Sequence, residues 1–419
     1  MLAKSPLRKF TLSEDWLATL LGLYLIFVFA SGSSIRTPVY GWGNFGDLLS
    51  KVLTLSNLGS ILLQFLLVYF VSAITTYLSG KNIKTLLKAL ITIFLMAQLA
   101  LLLAGNTLIK SYNLEAVIFS LVLGLLSSHL VRLPDEWRAV LSSEWYVKVG
   151  LVLLGTTIIF SDVLKAGSLG LIQAVVVVFS VWYFSFWICK KLKLDDDLTF
   201  MLSSAVSICG VSAAIATAGA IKGDPKKLSY VISLVLITAI PMMIGMPYLA
   251  HYFGLSEATT GAWLGGTIDT TGAVVAAGTL AGETALKVST IVKFSQNVLL
   301  GLAAFTISIY WTYTKNEKTE EDKPSASLIW ERFPKFVIGF ILASILFSFA
   351  FHPATVSAVK DPLKSLQTLW FVLAFTTIGL ETKFSDIFNS QNQRPLVSFL
   401  LAQLFNVIIT LIVALVLFG

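Results

Sequence analysis

The sequence predicts an all-α polytopic membrane protein of about thirteen transmembrane segments, two of them broken helices. Three observations predict this class. Hydrophobic residues make up 56% of the 419 residues and charged residues only 13%, whereas a soluble globular chain carries about 25% charged residues. The charges are segregated into short polar stretches, which leaves apolar runs long enough to cross a hydrocarbon core about 30 Å thick. Two of those runs are unusually rich in Gly, Ser and Thr.

The apolar runs define the predicted spans. They lie at 16–32, 58–78, 85–104, 114–131, 144–165, 169–190, 199–221, 228–250, 258–279, 286–311, 331–352, 364–382 and 395–418. We expect residues 1–80 to form an N-terminal extension with two added transmembrane helices, and residues 81–419 to form a transporter core. The polar stretch at 312–330 is predicted to be a cytoplasmic loop. No small-residue cleavage site follows the first apolar run, so we expect no cleavable signal peptide.

The Lys and Arg residues predict the orientation of the chain in a bacterial inner membrane, because short cytoplasmic loops are enriched in them. Lys4, Arg8 and Lys9 predict a cytoplasmic N-terminus. The same side would hold Lys81, Lys84, Arg132, Arg138, Lys190, Lys191, Lys193, Lys315, Lys318, Lys323, Arg332 and Lys335. One cluster departs from this pattern if every segment crosses the membrane.

Lys222, Lys226 and Lys227 are that cluster, and they follow the first glycine-rich segment. They would be extracytoplasmic if the segment crosses fully, and cytoplasmic if it dips in and returns. In the second case the other glycine-rich segment must also re-enter, from the opposite face. The sequence leaves both topologies open, with broken crossing helices slightly favoured.

A weak internal similarity predicts two inverted repeats, which are common in secondary transporters. Residues 155–162 match residues 379–386 at their Gly, Phe, Ser and Asp positions. An odd number of segment steps separates the two stretches, so they would run in opposite directions through the membrane. Chance, or a shared Ser-Asp cap at the end of a span, would explain the matches equally well.

The first glycine-rich segment, 203–219, is a candidate half of a substrate site. Cys209-Gly210 is the predicted break, because Gly frees the backbone there. A half-helix that starts after Gly210 would direct free amides and a positive dipole end at an anion. The predicted binding residues are Ser207, Cys209, Gly210, Val211 and Ser212. Close helix packing through small residues is the alternative explanation.

The second glycine-rich segment, 261–278, adds a charge. Asp269 lies near its middle, where an ionised carboxylate costs roughly 2.5–3.5 kcal/mol on insertion scales. Lys293, in the next span, is the predicted cationic partner. The pair is either a structural salt bridge, or a substrate cation beside a carboxylate that binds a proton or sodium. The remaining predicted substrate contacts are Thr267, Thr270, Thr271, Gln296 and Asn297, of which the last two share a polar helix face with Ser289 and Lys293.

Several functional classes find no support in the residues. The three His residues form no ligand cluster, and no nucleophile–base set or phosphate loop occurs, so we expect neither an enzyme nor a bound metal or cofactor. Cys189 and Cys209 lie in or beside apolar segments, so we expect no disulfide. The net charge of +7 follows from the basic loops, and we expect no nucleic-acid partner.

At these residues the chain resembles the YeiH-like bacterial membrane proteins (the UPF0324 type), a family labelled as sulfate exporters. The resemblance runs from about residue 85 to the C-terminus. Five stretches carry it: 153–155, 207–213, 265–278, Val292-Lys293 and 378–382. The most specific of these is the Ile-Cys-Gly-x-Ser/Ala-Ala element at 208–213. The family is similar to the cation:proton antiporter and bile-acid transporter superfamily. That similarity implies inverted repeats, crossing broken helices and a core domain that moves against a panel.

The chain departs from the pattern of that family at the second segment. Members typically show Ile-His-Glu-Val-Ala-Gln where this chain has Ile268-Asp269-Thr270-Thr271-Gly272-Ala273. The Arg that follows the family's Val-Lys is here Gln296. These differences imply that the substrate or coupling ion differs from that of other members.

The predicted function is secondary active transport of a small anion, sulfate- or sulfonate-like by resemblance, by alternating access. Asp269 is the predicted coupling carboxylate for a proton or sodium, and Lys293 is predicted to neutralise the substrate. A sodium/proton antiporter-like carrier and a passive anion channel are the alternatives. The predicted partners are the anion, the coupling ion and the lipid bilayer, and the oligomeric state is open, a homodimer included.

Overall fold

The computed structural model describes residues 13–32, 36–111, 115–130, 134–314, 326–382 and 393–419. Within those ranges the regular elements are helices, apart from a single bridge between Trp42 and Asn106. The predicted all-α class is therefore confirmed. Several predicted features lie outside the described residues: Lys4, Arg8, Lys9, Arg132, Lys315, Lys318, Lys323 and the 383–386 part of the internal repeat.

Two compact units divide the helices. The first unit comprises Met1–Ile159 and Lys335–Glu381 and the second comprises Phe160–Pro334 and Thr382–Gly419. The first contains α1 (Glu14–Ala30), α2 (Phe45–Asp47), α3 (Leu55–Leu78), α4 (Ile83–Ala104), α5 (Thr107–Ser111), α6 (Ala116–Leu130), α7 (Asp135–Val140), α8 (Ser143–Leu154), α17 (Lys335–Ile345) and α18 (Pro353–Glu381). The second contains α9 (Phe160–Lys191), α10 (Asp196–Ser207), α11 (Val211–Ile221), α12 (Pro225–Tyr252), α13 (Glu257–Thr267), α14 (Thr271–Ala281), α15 (Glu283–Thr314), α16 (Ser327–Arg332) and α19 (Arg394–Phe418). The predicted boundary at residue 80 stays a prediction.

Seven helices of the described ranges are long and apolar enough to cross a membrane: α3, α4, α9, α12, α15, α18 and α19. Helix α3 shows how such a helix meets lipid. Leu62, Leu66 and Phe70 are exposed on it, whereas Asn57 and Gln64 are buried. This distribution is the reverse of a soluble helix, because the surrounding solvent is hydrocarbon and polar groups must be satisfied inside the protein. The chain is a membrane protein.

A partly exposed cluster of charged side chains connects three helices of the first unit. Lys148 on α8 lies 3.0 Å from Glu14, 2.9 Å from Asp15 and 3.4 Å from Glu144. The Thr19 hydroxyl on α1 also donates to the carbonyl of Lys335 at the start of α17. These contacts hold the beginning of α1 against α8 and α17.

In the second unit, the first glycine-rich segment is a re-entrant hairpin. Helices α10 and α11 are only 12 and 11 residues long, so each covers about 16–18 Å at 1.5 Å per residue. The two ends of the hairpin meet at its base. Lys227, at the start of α12, lies 2.9 Å from Asp195 and 3.6 Å from Asp197, which flank the start of α10. The chain therefore enters through α10 and returns to the same side through α11.

The second glycine-rich segment has the same form. Helices α13 and α14 are 11 residues each, and the Thr284 amide at the start of α15 donates to Glu257 at the start of α13, 2.9 Å away. We call α10, 208–210 and α11 the first hairpin, and α13, 268–270 and α14 the second hairpin. Two of the thirteen predicted segments are thus hairpins and not single crossings. The number of segments that cross stays a prediction.

The two hairpins enter from opposite ends of α15. The base of the second hairpin lies at Thr284, and both hairpin tips contact Lys293 further along the helix. Phe200, in the second turn of α10, packs against Tyr310 and Trp311 near the far end of α15, with ring centroids 5.7 and 5.6 Å apart. The structure therefore selects paired re-entry, and the crossing helices slightly favoured by the sequence are wrong. The inverted repeat itself stays a prediction.

Candidate substrate and ion site at the hairpin tips

The tip of the first hairpin depends on Gly210. Its backbone has φ +61° and ψ −110°, a conformation that a side chain rarely permits. A Cβ added there would lie 2.6 Å from Val235 on α12 and 3.2 Å from the Cβ of Asp269. The glycine therefore allows the turn and also the close approach of the second hairpin's tip.

Lys293 connects the two tips. Its side chain is 1% exposed, and its Nζ donates to the carbonyl of Ile208 at 2.7 Å, the carbonyl of Ile268 at 2.8 Å and Oε1 of Gln296 at 3.0 Å. Ile208 and Ile268 are the first residues after α10 and α13, where the carbonyls lose their intrahelical partners. One ammonium group thus satisfies a carbonyl from each broken helix.

Amide side chains from the surrounding helices satisfy further carbonyls at the same two helix ends. Gln296 donates to Gly266, and Gln403 on α19 donates to Thr267, at 2.9 and 3.0 Å. Asn406 on α19 donates to both Val206 and Thr267, at 3.1 Å each. The C-terminal ends of α10 and α13, which carry the negative ends of the helix dipoles, are therefore capped by the protein itself.

The opposite helix ends, at the starts of α11 and α14, are only lightly capped. The N-cap residue of α11 is Gly210, which has no side chain to cap the helix, and Thr270 accepts from one amide of α14, that of Ala273, at 3.3 Å. Val211, Ser212, Thr270 and Thr271 are half-buried, whereas the residues before them are buried. The two N-termini are neighbours, because a Cβ on Gly210 would lie 3.4 Å from the Thr270 methyl. Two positive dipole ends therefore meet at a partly accessible point.

Asp269 lies at the same point and is 1% exposed. Neither carboxylate oxygen accepts a hydrogen bond from the described part of the chain. A direct salt bridge with Lys293, one of the two arrangements that the sequence left open, is absent among these residues, since the ammonium donates to two backbone carbonyls and to Gln296. A buried carboxylate without a donor is costly and needs a proton or a cation. No group of three or more His, Cys, Asp or Glu that could hold a metal occurs in the described ranges.

The remaining predicted residues divide into two groups. Asn297 donates to the Thr271 hydroxyl at 3.1 Å, which places both beside the second tip. Cys209 is buried in the first tip. The Ser207 hydroxyl instead donates to the carbonyl of Ser203 in its own helix, and the Thr267 hydroxyl has no partner among the described residues. Ser207 therefore faces its own backbone and not the tips.

Sequence reasoning missed the contribution of α19 and α9. One face of α19, an otherwise apolar helix, carries Gln403, Asn406 and Thr410. On α9, Gln173 donates to the carbonyl of Ala262 at 2.7 Å. Thr410 donates to Oδ1 of Asn406 at 2.8 Å, which fixes the orientation of that amide. The i, i+3, i+7 spacing of polar residues was the available signal.

Known proteins resemble this chain over most of its length. The family described as Conserved hypothetical protein 698 matches residues 88–398. A UPF0324 membrane protein of Rhodopirellula baltica is 39% identical over 372 residues, which cover 87% of this chain and 68% of that protein. One from Nitratidesulfovibrio vulgaris is 36% identical over 354 residues, or 81% and 60%. One from Clostridium tetani is 27% identical over 302 residues, or 68% and 85%.

The chain thus spans about two thirds or less of the length of the first two relatives, 68% and 60% respectively. No solved structure matches it.

Proposed function

The chain belongs to the UPF0324 membrane-protein family, and we propose that it is a secondary active transporter of a small anion, of the sulfate or sulfonate class. The observation that carries the proposal is the meeting of two re-entrant hairpin tips around Lys293 and Asp269. Irregular backbone at membrane depth is tolerated where it lines a site, and paired broken helices are typical of transporters. We propose no enzymatic activity.

The carbonyl ends of the hairpin helices are capped by side chains more fully than the amide ends are, and this difference supports an anion as substrate. Side-chain donors occupy the carbonyl ends of α10 and α13, whereas within the described ranges Thr270 is the one side chain that accepts from an amide at the start of α11 or α14. An anion at the latter ends would receive backbone N–H groups of Val211 and Ser212 and the hydroxyls of Thr270 and Thr271. Such sites bind oxyanions because the amides and the dipole act together.

Asp269 supports coupling to a cation. An ionised carboxylate directly before α14 competes with an anion for the same dipole end. Binding of a proton or sodium to Asp269 removes that competition, so the anion and the cation enter the site together. We propose that this dependence couples transport to the proton or sodium gradient.

The hairpin topology supports a cytoplasmic N-terminus in a bacterial inner membrane. The contact between Lys227 and Asp195 puts the loop of Lys222 and Lys226 on the same side as Lys190 and Lys191. All of these lysines then lie on the positively charged side. The one exception to the charge pattern is thereby removed.

Uptake into proteoliposomes tests the proposal. Purified protein is first screened for thermal stabilisation by sulfate, sulfite, sulfonates and carboxylates, because a ligand of the folded state raises its stability. The best binder is then used, radiolabelled, in uptake assays with imposed proton or sodium gradients. We expect saturable uptake that a gradient accelerates. Flux that does not saturate would indicate a passive anion channel.

Asp269→Asn tests the coupling role. The amide cannot exchange a proton or bear charge, so we expect anion binding to persist while uptake no longer responds to pH or sodium. Glu257→Gln, at the base of the same hairpin, is the matched control. An unchanged response in Asp269→Asn would remove Asp269 from this role. Sodium/proton exchange without any anion would instead favour the antiporter-like alternative, which the unpartnered carboxylate also permits.

A further inference from the structure

The donors of Lys293 point to a role other than substrate binding. An ammonium group has three N–H donors and no acceptor. All three are used, by the carbonyls of Ile208 and Ile268 and by Gln296. With the side chain 1% exposed, no donor remains for a substrate in this arrangement. We infer that Lys293 is a positioning residue that latches the two hairpin tips together and does not itself bind the transported anion.

The latch forms only when both tips lie beside Lys293, because each tip supplies one of its acceptors. Each tip supplies a single carbonyl, and neither carbonyl has an intrahelical partner because the helix breaks there. The third acceptor, Gln296, also donates to Gly266, so it orients the ammonium relative to the second hairpin. Moving the tips apart therefore breaks at least one charge-assisted hydrogen bond and exposes a buried carbonyl.

The latch serves the proposed transport site because it sets where the two anion-binding helix ends meet. Ile208 precedes α11 by three residues and Ile268 precedes α14 by the same number. Fixing these two carbonyls on one nitrogen fixes the neighbouring starts of α11 and α14. The importance of the latch for transport rests on the proposed function. The hydrogen bonds that form it are present in the protein without substrate.

Cys209 provides a reporter of the latch, because it lies in the first tip and is 6% exposed. The chain has two cysteines, so Cys189→Ser leaves Cys209 as the single thiol. The rate at which a small methanethiosulfonate reagent modifies this thiol in the purified full chain, without any anion substrate, reports opening of the tip. Variants are compared at their pH-independent limiting rates, because Lys293 also interacts electrostatically with Cys209 and its removal changes the ionisation of the thiol. In this background we expect Lys293→Met to raise the rate about ten- to hundred-fold, because opening of the tip then no longer breaks a hydrogen bond to a charged group.

Two further variants separate latching from folding. Lys293→Arg keeps a cation with several donors and is expected to restore much of the protection. Lys287→Met removes a lysine two turns earlier on α15, where it pairs with Glu283, and is expected to leave the rate unchanged. If Lys293→Met does not yield folded protein, Gln296→Leu keeps the ammonium but removes its third acceptor, and a smaller acceleration is expected.

The result that would overturn the inference is a modification rate in Lys293→Met, or in Gln296→Leu if that variant is used, within twofold of the parent. Loss of anion affinity in a Lys293→Met protein whose thiol stays protected would mark Lys293 as a substrate ligand instead. Failure to find any transported anion would refute the proposed function alone, because the thiol assay contains no substrate.

Discussion

Gly210→Ala tests the physical basis of the first hairpin tip. Two effects oppose the added methyl. A side chain at φ +61° and ψ −110° is strained, and such conformations cost on the order of 1–3 kcal/mol. The Cβ would also lie 2.6 Å from Cγ1 of Val235, a buried residue. Overpacking of this kind typically costs about 1–3 kcal/mol more.

The two terms together predict a loss of about 2–6 kcal/mol in the free energy of unfolding. The double variant Gly210→Ala/Val235→Ala separates them, because it removes the clashing methyl groups but keeps the strained backbone. We expect it to be less destabilised than the sum of the single variants, by about 1–3 kcal/mol. The backbone part of the loss should remain.

Thermal unfolding of the purified protein in detergent, followed by intrinsic fluorescence, measures the effect. Gly245→Ala is the matched control, since nothing lies within 4 Å of a Cβ at that position in α12. It should be neutral, or stabilising by up to about 1 kcal/mol. If Gly210→Ala melts at the same temperature as Gly245→Ala, then the turn and the close approach at the tip are not as described.

Two other predictions concern the arms and the base of the hairpins. Asn406→Leu leaves the Val206 carbonyl without its side-chain donor, whereas the Thr267 carbonyl keeps Gln403, so the variant should destabilise the protein by about 1–3 kcal/mol. Leu404→Ala, on the exposed side of α19, should cost less than about 1 kcal/mol in the same melt. Asp195→Cys and Lys227→Cys, in a background without Cys189 and Cys209, should be joined by a short bifunctional thiol reagent, because the native side chains meet at their tips. A crossing segment would separate the two residues by about 30 Å and prevent the cross-link. The pair Asp195→Cys and Thr284→Cys is the negative control, because these residues lie at the bases of different hairpins.

The location of the candidate site could be predicted from sequence. Gly, Ser and Thr are concentrated in two apolar segments, and a glycine such as Gly210 in a membrane span indicates a break or close packing. Asp269 and Lys293 were recognisable because ionised groups are rare in spans. The all-helical membrane class also followed, since long apolar runs have no other stable form in lipid.

The pairing within the site could not be predicted. Asp269 and Lys293 are opposite charges in adjacent segments, and the sequence therefore favoured pairing them. In the structure the ammonium donates to the Ile208 and Ile268 carbonyls instead, because these carbonyls lie where the helices break and have no intrahelical partner. Asn406 was overlooked for the related reason that its two acceptors, Val206 and Thr267, lie far away in the chain.

The sequence by itself determined that this protein is helical, lies in a membrane and breaks two of its helices near Gly210 and Asp269. Local composition suffices for those conclusions, because hydropathy and backbone freedom are properties of neighbouring residues. Only the tertiary structure decided that both segments turn back. That outcome depends on contacts such as Lys227 with Asp195 and Thr284 with Glu257, which join residues about thirty positions apart and leave no periodic signal.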